Sequence, residues 1–239
     1  MSQSSNLPQE QYFTAGSALT SAAVIWLRTR IETAISKFGT ANIFLSGGNS
    51  PKPIYEALSC IELPWKAVTI SLVDDRWVDE SSAGSNTAMI KTIMLQNAAS
   101  DAQFLPVYDG SETAAQGVEA VEPTMPDRID ICVMGMGMDG HTASWFPDSR
   151  GLADAMDLRN TAKLCAINAT GCPVAGDYPE RITLTRSAVL AARHILLMLP
   201  NADKTRVFEA AKTKDLMDAP VAGLLQAGDA LTVFAMDSN

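Results

Sequence analysis

The sequence predicts an α/β protein: a mainly parallel open sheet with helices on both faces. Short apolar runs recur along the chain, each run stops abruptly at a polar or glycine-rich loop, and segments of helical periodicity separate the runs. Strands that alternate with helices in this way pair in parallel, because each crossover needs a helix to return the chain to the same edge.

In chain order, residues 17–36 carry the first helical pattern and Ala41-Asn42-Ile43-Phe44-Leu45 the first strand, which ends at Ser46-Gly47-Gly48-Asn49-Ser50-Pro51. A helix over 53–58 follows. The second strand, 67–73, runs into a polar loop at Asp74-Asp75-Arg76. Residues 86–97 read as a helix with Met89, Ile90, Ile93 and Met94 on one face. A further helix lies within 110–126, flanked by loops. The third strand, 129–134, opens into Gly135-Met136-Gly137. A helix over 187–193, a strand over His194–Leu199, a helix over Ala202–Ala211 and a last strand over Leu231–Met236 complete the pattern. In a sheet of this kind ligands bind beyond the carboxyl ends of the strands, where the three loops fall.

With 239 residues, 47% hydrophobic and 19% charged, the chain has material for a large core, and a single domain over 1–239 is expected. No run approaches the roughly 18 apolar residues that span a bilayer. The polar opening Met1-Ser2-Gln3-Ser4-Ser5-Asn6 has neither the basic nor the apolar region of a signal peptide, so a cytoplasmic location is expected. A net charge of −9 argues against nucleic acid or an anionic membrane as the main partner, since both reward a basic surface. An anionic small molecule would need a local cluster of cations. Cys60, Cys132, Cys165 and Cys172 form no C-x-x-C pair and read as free thiols. Monomer and dimer both remain open.

Three loops carry candidate chemistry. Gly47 and Gly48, between a strand and a helix, let backbone N–H groups approach a phosphate without an intervening Cβ. The spacing is neither G-x-G-x-x-G nor a Walker A loop, which disfavours dinucleotides and nucleoside triphosphates. A plain tight turn fits Gly-Gly equally well. Asp74-Asp75-Arg76-Trp77 sets carboxylates beside a guanidinium able to grip an anion, or forms a surface ion pair. Ser85-Asn86 suits a helix N-cap, with the Asn86 amide as an alternative contact for a sugar hydroxyl.

The richest segment is Gly135-Met136-Gly137-Met138-Asp139-Gly140-His141. Histidine titrates near neutral pH, which makes His141 the candidate for moving a proton to and from water, with Asp139 placed to orient it. A structural hydrogen-bonding role is the alternative. His194 leads into an apolar strand and reads as structural. Two distant histidines without H-E-x-x-H or a carboxylate cluster build no metal site, and no G-x-S-x-G elbow is present. Arg181 and Lys204 are the remaining cations that a phosphate could meet, or else solvated surface charges.

Taken in order, Ser46-Gly47-Gly48-Asn49-Ser50-Pro51, Asp74-Asp75-Arg76-Trp77-Val78, Ser85-Asn86, the 135–144 segment with Phe146-Pro147, and Arg181-Ile182-Thr183 resemble the 6-phosphogluconolactonase family. The resemblance spans the chain from about Phe13 to the last strand. It implies a Rossmann-like fold related to that of the glucosamine-6-phosphate deaminases. It also implies hydrolysis of 6-phosphoglucono-δ-lactone in the oxidative pentose phosphate pathway, with no cofactor and no metal. By that pattern Gly47, Gly48, Arg76, Arg181 and Lys204 gather around the phosphate with Asn49 in the same loop, Asp74 and Asn86 lie near the sugar, and His141 is the base with Asp139 beside it.

The chain departs from the pattern at Asp75 for glutamate, Ser50 for threonine, Asp79 for proline and Trp145 for leucine. Trp145, bulkier and beside the histidine loop, is the departure able to reshape the pocket, and its effect there stays open. Amino-sugar phosphate deaminases of similar pattern carry a glutamate five residues beyond the histidine. Here that residue is Phe146, which accepts no proton. A sugar-phosphate sensor of the same fold would carry a DNA-binding module, for which the stretch before Phe13 is too short.

Overall fold

Ten strands and seven α-helices build the fold over residues 7–238, the part that the computed structural model describes; the polar opening 1–6 lies outside the described residues. In chain order they are β1 (Gln9–Phe13), α1 (Gly16–Phe38), β2 (Ala41–Leu45), α2 (Lys52–Ser59), β3 (Val68–Leu72), β4 (Asp74–Arg76), α3 (Asn86–Ile93), β5 (Gln103–Phe104) and α4 (Ala114–Val121). There follow β6 (Ile131–Met134), α5 (Leu152–Met156), β7 (Leu164–Asn168), β8 (Glu180–Leu184), α6 (Arg186–Leu190), β9 (His194–Leu199), α7 (Ala202–Ala211) and β10 (Leu231–Met236). Among the described residues no helix is long and apolar enough to cross a membrane.

Seven strands form one sheet in the order β1-β10-β9-β6-β2-β3-β5, and every neighbouring pair is parallel. β6 is buried at every position and β9 at all but its first, so both faces of the sheet centre are covered. On α1, the fully buried Ala23, Leu27 and Ile31 recur every fourth residue and form the stripe that packs inward. The helix ends at Gly39, whose φ of 78° is left-handed and whose N–H closes onto Ile35 O.

From β2 the chain builds outward to β3 and β5 on one side, and from β6 to β9 and β10 on the other. The switch point therefore falls between β2 and β6. Their carboxyl ends, Leu45 and Met134, lead directly into the Gly47-Gly48 loop and the histidine loop.

A second, three-stranded antiparallel sheet, β4-β8-β7, was not anticipated from the sequence. The expected polar loop at Asp74-Asp75-Arg76 is its strand β4, paired as Asp74↔Thr183, Asp75↔Ile182 and Arg76↔Arg181. Val73 joins the two sheets, donating its N–H to Leu45 O and accepting from Leu184 N at 2.8 Å. The helix expected over 86–97 stops at Ile93, where the Gln96 side chain takes Lys91 O and Asn97 turns to a φ of 51°. Within 110–126 the helix is α4, opened by a reciprocal capping box between Thr113 and Gln116.

Candidate active site

The loop after β2 is shaped by two glycines with different reasons to be glycine. Gly48 has a φ of 85°, and a Cβ on Gly47 would fall inside the Asn86 side chain. Buried Tyr55 of α2 donates to Ser46 O at 3.0 Å and fixes the start of the loop. Lys204 reaches the far end of the same loop from the first turn of α7, where Asn201 caps the helix by accepting Lys204 N. Its Nζ donates to Ser50 Oγ at 3.3 Å, and partial burial lowers its proton affinity.

Opposite this loop stand two guanidiniums. Arg76 Nη1 donates to Gly84 O at 2.6 Å and to Asn86 Oδ1 at 3.1 Å. Arg181 is only 4% exposed, and its Nε and Nη2 donate to Tyr178 O and Ala175 O. Burial lowers the proton affinity of Arg181, the Asp74 charge opposes that, Arg76 adds to it and Asp75 again opposes it. Asn86 completes the group by donating Nδ2 to Asp74 O at 3.0 Å.

The histidine loop folds back on itself. Gly137 N donates to His141 O at 2.9 Å, Gly140 N donates to Gly137 O, and Gly140 has a φ of 86°. This brings His141 Nδ1 to 2.6 Å from Asp139 Oδ1. Gly137 has no room for a side chain, because a Cβ there would meet the His141 ring and the Asp139 carboxylate. Burial alone would raise the Asp139 carboxyl, but the hydrogen bond and charge of His141 outweigh it and hold the group below the usual carboxylate range. An ionised Asp139 favours the imidazole tautomer with its hydrogen on Nδ1, in which Nε2 carries the lone pair.

Phe146 links this dyad to the guanidiniums. Its ring lies 4.4 Å from that of His141, centre to centre, and the Arg181 guanidinium sits 5.2 Å from the centre of the Phe146 ring. Ser144 Oγ donates to Asp74 Oδ2 at 2.6 Å, tying the histidine loop to β4.

Of the ten residues expected at the site, nine line one cleft of about 250 Å³: Gly47, Gly48, Asn49, Asp74, Arg76, Asn86, His141, Arg181 and Lys204. Asp139 stands one hydrogen bond behind His141. Trp145 is fully buried, with Nε1 donating to Leu184 O, and does not itself line the cleft. His194 opens β9 at the opposite end of the sheet, edge-on to Trp26. The sequence marks Phe146 only as standing where deaminases carry a glutamate and Ser144 only as a member of a motif; their contacts with His141 and Asp74 arise in the fold. Among the described residues no three His, Cys, Asp or Glu groups stand together as a metal site, and the four cysteines are free.

A switch-point cleft that combines paired guanidiniums, a glycine loop and an Asp-His dyad defines an α/β enzyme acting on a small anionic substrate. Residues 14–233 match the family described as glucosamine-6-phosphate isomerases/6-phosphogluconolactonase, and the chain belongs to it. It is 38% identical over 185 residues to a 6-phosphogluconolactonase of Mesorhizobium japonicum, with 76% of each chain covered. Against one from Pseudomonas aeruginosa the identity is 36%, with 83% of each covered. The structure of a 6-phosphogluconolactonase from Shewanella baltica superposes with a TM-score of 0.88 at 32% identity, covering 96% of this chain and 98% of that one. A monomeric glucosamine-6-phosphate deaminase shares the fold, with a TM-score of 0.76 at 16% identity over 96% of this chain and 98% of that one.

Proposed function

We propose that this chain hydrolyses 6-phospho-D-glucono-1,5-lactone to 6-phospho-D-gluconate, in the oxidative pentose phosphate pathway and in the cytoplasm, as a single domain without cofactor or metal. The observation that carries the reading is the Asp139–His141 dyad facing the Arg76–Arg181 pair across one cleft, in a chain whose relatives are 6-phosphogluconolactonases. The paired guanidiniums, Lys204 and the Gly47-Gly48 loop hold the phosphate. Asp74, Asn49 and Asn86 lie along the sugar ring.

Held at that end, the lactone presents its carbonyl to His141, and attack becomes effectively intramolecular. His141 Nε2 takes a proton from water as the oxygen adds to the carbonyl carbon. The tetrahedral intermediate then collapses with cleavage of the bond from carbonyl carbon to ring oxygen, and the imidazolium returns its proton to that leaving oxygen. Asp139 keeps the ring oriented and stabilises its charged form. A positioned base of this kind contributes roughly 10²- to 10⁴-fold.

A deaminase reading has the fold in its favour but lacks an acid at Phe146, which packs on the His141 ring instead. The deciding experiment supplies freshly made 6-phosphogluconolactone and follows acid release above the spontaneous rate, with glucosamine 6-phosphate tested for ammonia release in parallel. Ammonia without acceleration of lactone hydrolysis would overturn the proposal.

A further inference from the structure

Asp75 is fully buried and does not line the cleft, yet its carboxylate is the most heavily used acceptor beside it. Oδ1 accepts Arg76 N at 2.8 Å and Asn86 N at 2.7 Å, while Oδ2 accepts Thr87 N and Thr87 Oγ1, both at 2.9 Å. One side chain thus fixes the backbone of two cleft residues that stand ten apart in sequence. Their own side chains meet at 3.1 Å between Arg76 Nη1 and Asn86 Oδ1.

Helix capping alone does not account for this. Ser85 already accepts Ala88 N as the cap of α3, and a neutral side chain would cap without the penalty of a buried charge. That penalty is substantial: burial pushes the Asp75 carboxyl up to about 6 in spite of four hydrogen bonds. With Asp75 on the first two N–H groups and Ser85 on the third, the opening turn of α3 has these donors engaged within the protein. Phosphate affinity in this part of the cleft then rests on where the Arg76 and Asn86 side chains are held.

We propose that Asp75 is a positioning residue for substrate binding, which sets affinity for the phosphorylated end of the lactone by holding Arg76 and Asn86 in one frame. The inference rests on the lactonase reading above for the identity of the ligand. Asp75 does not touch the substrate, and the proton transfer at His141 does not pass through it.

Steady-state kinetics on 6-phosphogluconolactone at pH 8, for the unaltered protein, Asp75→Asn and Thr87→Val, test the idea. Asp75→Asn should raise KM by about 10-fold or more with kcat within about threefold, the pattern of lost binding that is equal in ground and transition states. Thr87→Val removes one of the four bonds with little change of shape. It should raise KM by a smaller factor at the same kcat, and it keeps the test open if Asp75→Asn does not fold. An unchanged KM in the folded variants, or a fall in kcat at constant KM, would overturn the assignment. Calorimetric titration with inorganic phosphate separates the two readings. If the unaltered protein fails to accelerate lactone hydrolysis, the functional reading fails, while weaker phosphate binding in the variants still supports Asp75 and equal binding refutes it.

Discussion

Arg76 and Arg181 are direct cross-strand partners in the β4–β8 pair, so two guanidiniums face one cleft from adjoining strands. Like charges placed directly opposite destabilise a sheet. Asp74 and Asp75 relieve part of the repulsion felt by Arg181, but neither forms a salt bridge with it that would occupy its fork. An anion bound between the two arginines would offset the remainder.

Inorganic phosphate should therefore stabilise the protein. At ten times its dissociation constant it adds about 1.4 kcal/mol, which for a chain of this size is a rise in Tm of roughly 3–6 °C. Arg76→Met should abolish most of that increment while raising the Tm of the phosphate-free protein or leaving it unchanged. Thermal melts with and without phosphate measure both quantities. An equal increment in the variant would remove Arg76 from the anion site.

The Asp139–His141 contact predicts a different kinetic signature. His141→Ala should lower kcat by about 10²- to 10⁴-fold with little change in KM. Asp139→Asn keeps the shape but no longer favours a hydrogen on Nδ1, so it should lower kcat by a smaller factor through loss of the oriented tautomer. Stopped-flow acid release on the phosphorylated lactone reads both variants. Near-normal turnover in His141→Ala would end its assignment as the base.

Gly137 offers a test of loop geometry apart from charge. A methyl group there collides with the His141 ring and the Asp139 carboxylate, both of which must shift. Gly137→Ala should reduce kcat by at least about tenfold through a displaced base while inorganic phosphate binds as before, since the cations lie on other elements. Loss of phosphate binding would mean that the loop also shapes the anion site.

Much of this site was readable because its residues follow strands with an obvious apolar signature. Ala41-Asn42-Ile43-Phe44-Leu45 and the run ending at Met134 announce themselves, and their loops fall at the switch point for reasons of topology. The second sheet was not readable. β4 is only three residues, all charged, and its partners are more than a hundred positions away, so neither periodicity nor local propensity marks it. β8 does alternate Arg181, Ile182, Thr183 and Leu184, a signal that its role as a motif overshadowed. Asp75 was invisible for a related reason: its partners at Asn86 and Thr87 are defined only once β4 folds against the start of α3.

Asp75 also fixes the sign of a pH effect on stability. Its folded value of about 6 lies above its ordinary 3.8, so the native state binds the proton more tightly than the unfolded chain does. The stabilisation this provides is fully present below about pH 4 and is lost as pH rises through about 6. A shift of that size corresponds to at most about 3 kcal/mol. Other carboxylates run the opposite way, Asp139 among them, because its value is lowered on folding. The comparison must therefore be a difference between the unaltered protein and Asp75→Asn, which does not titrate at this position. Urea unfolding at pH 4.5 and 7.5 should show the unaltered protein losing stability relative to the variant as pH rises. A relative gain would mean that the buried carboxylate is stabilised by its four donors more than it is penalised by burial.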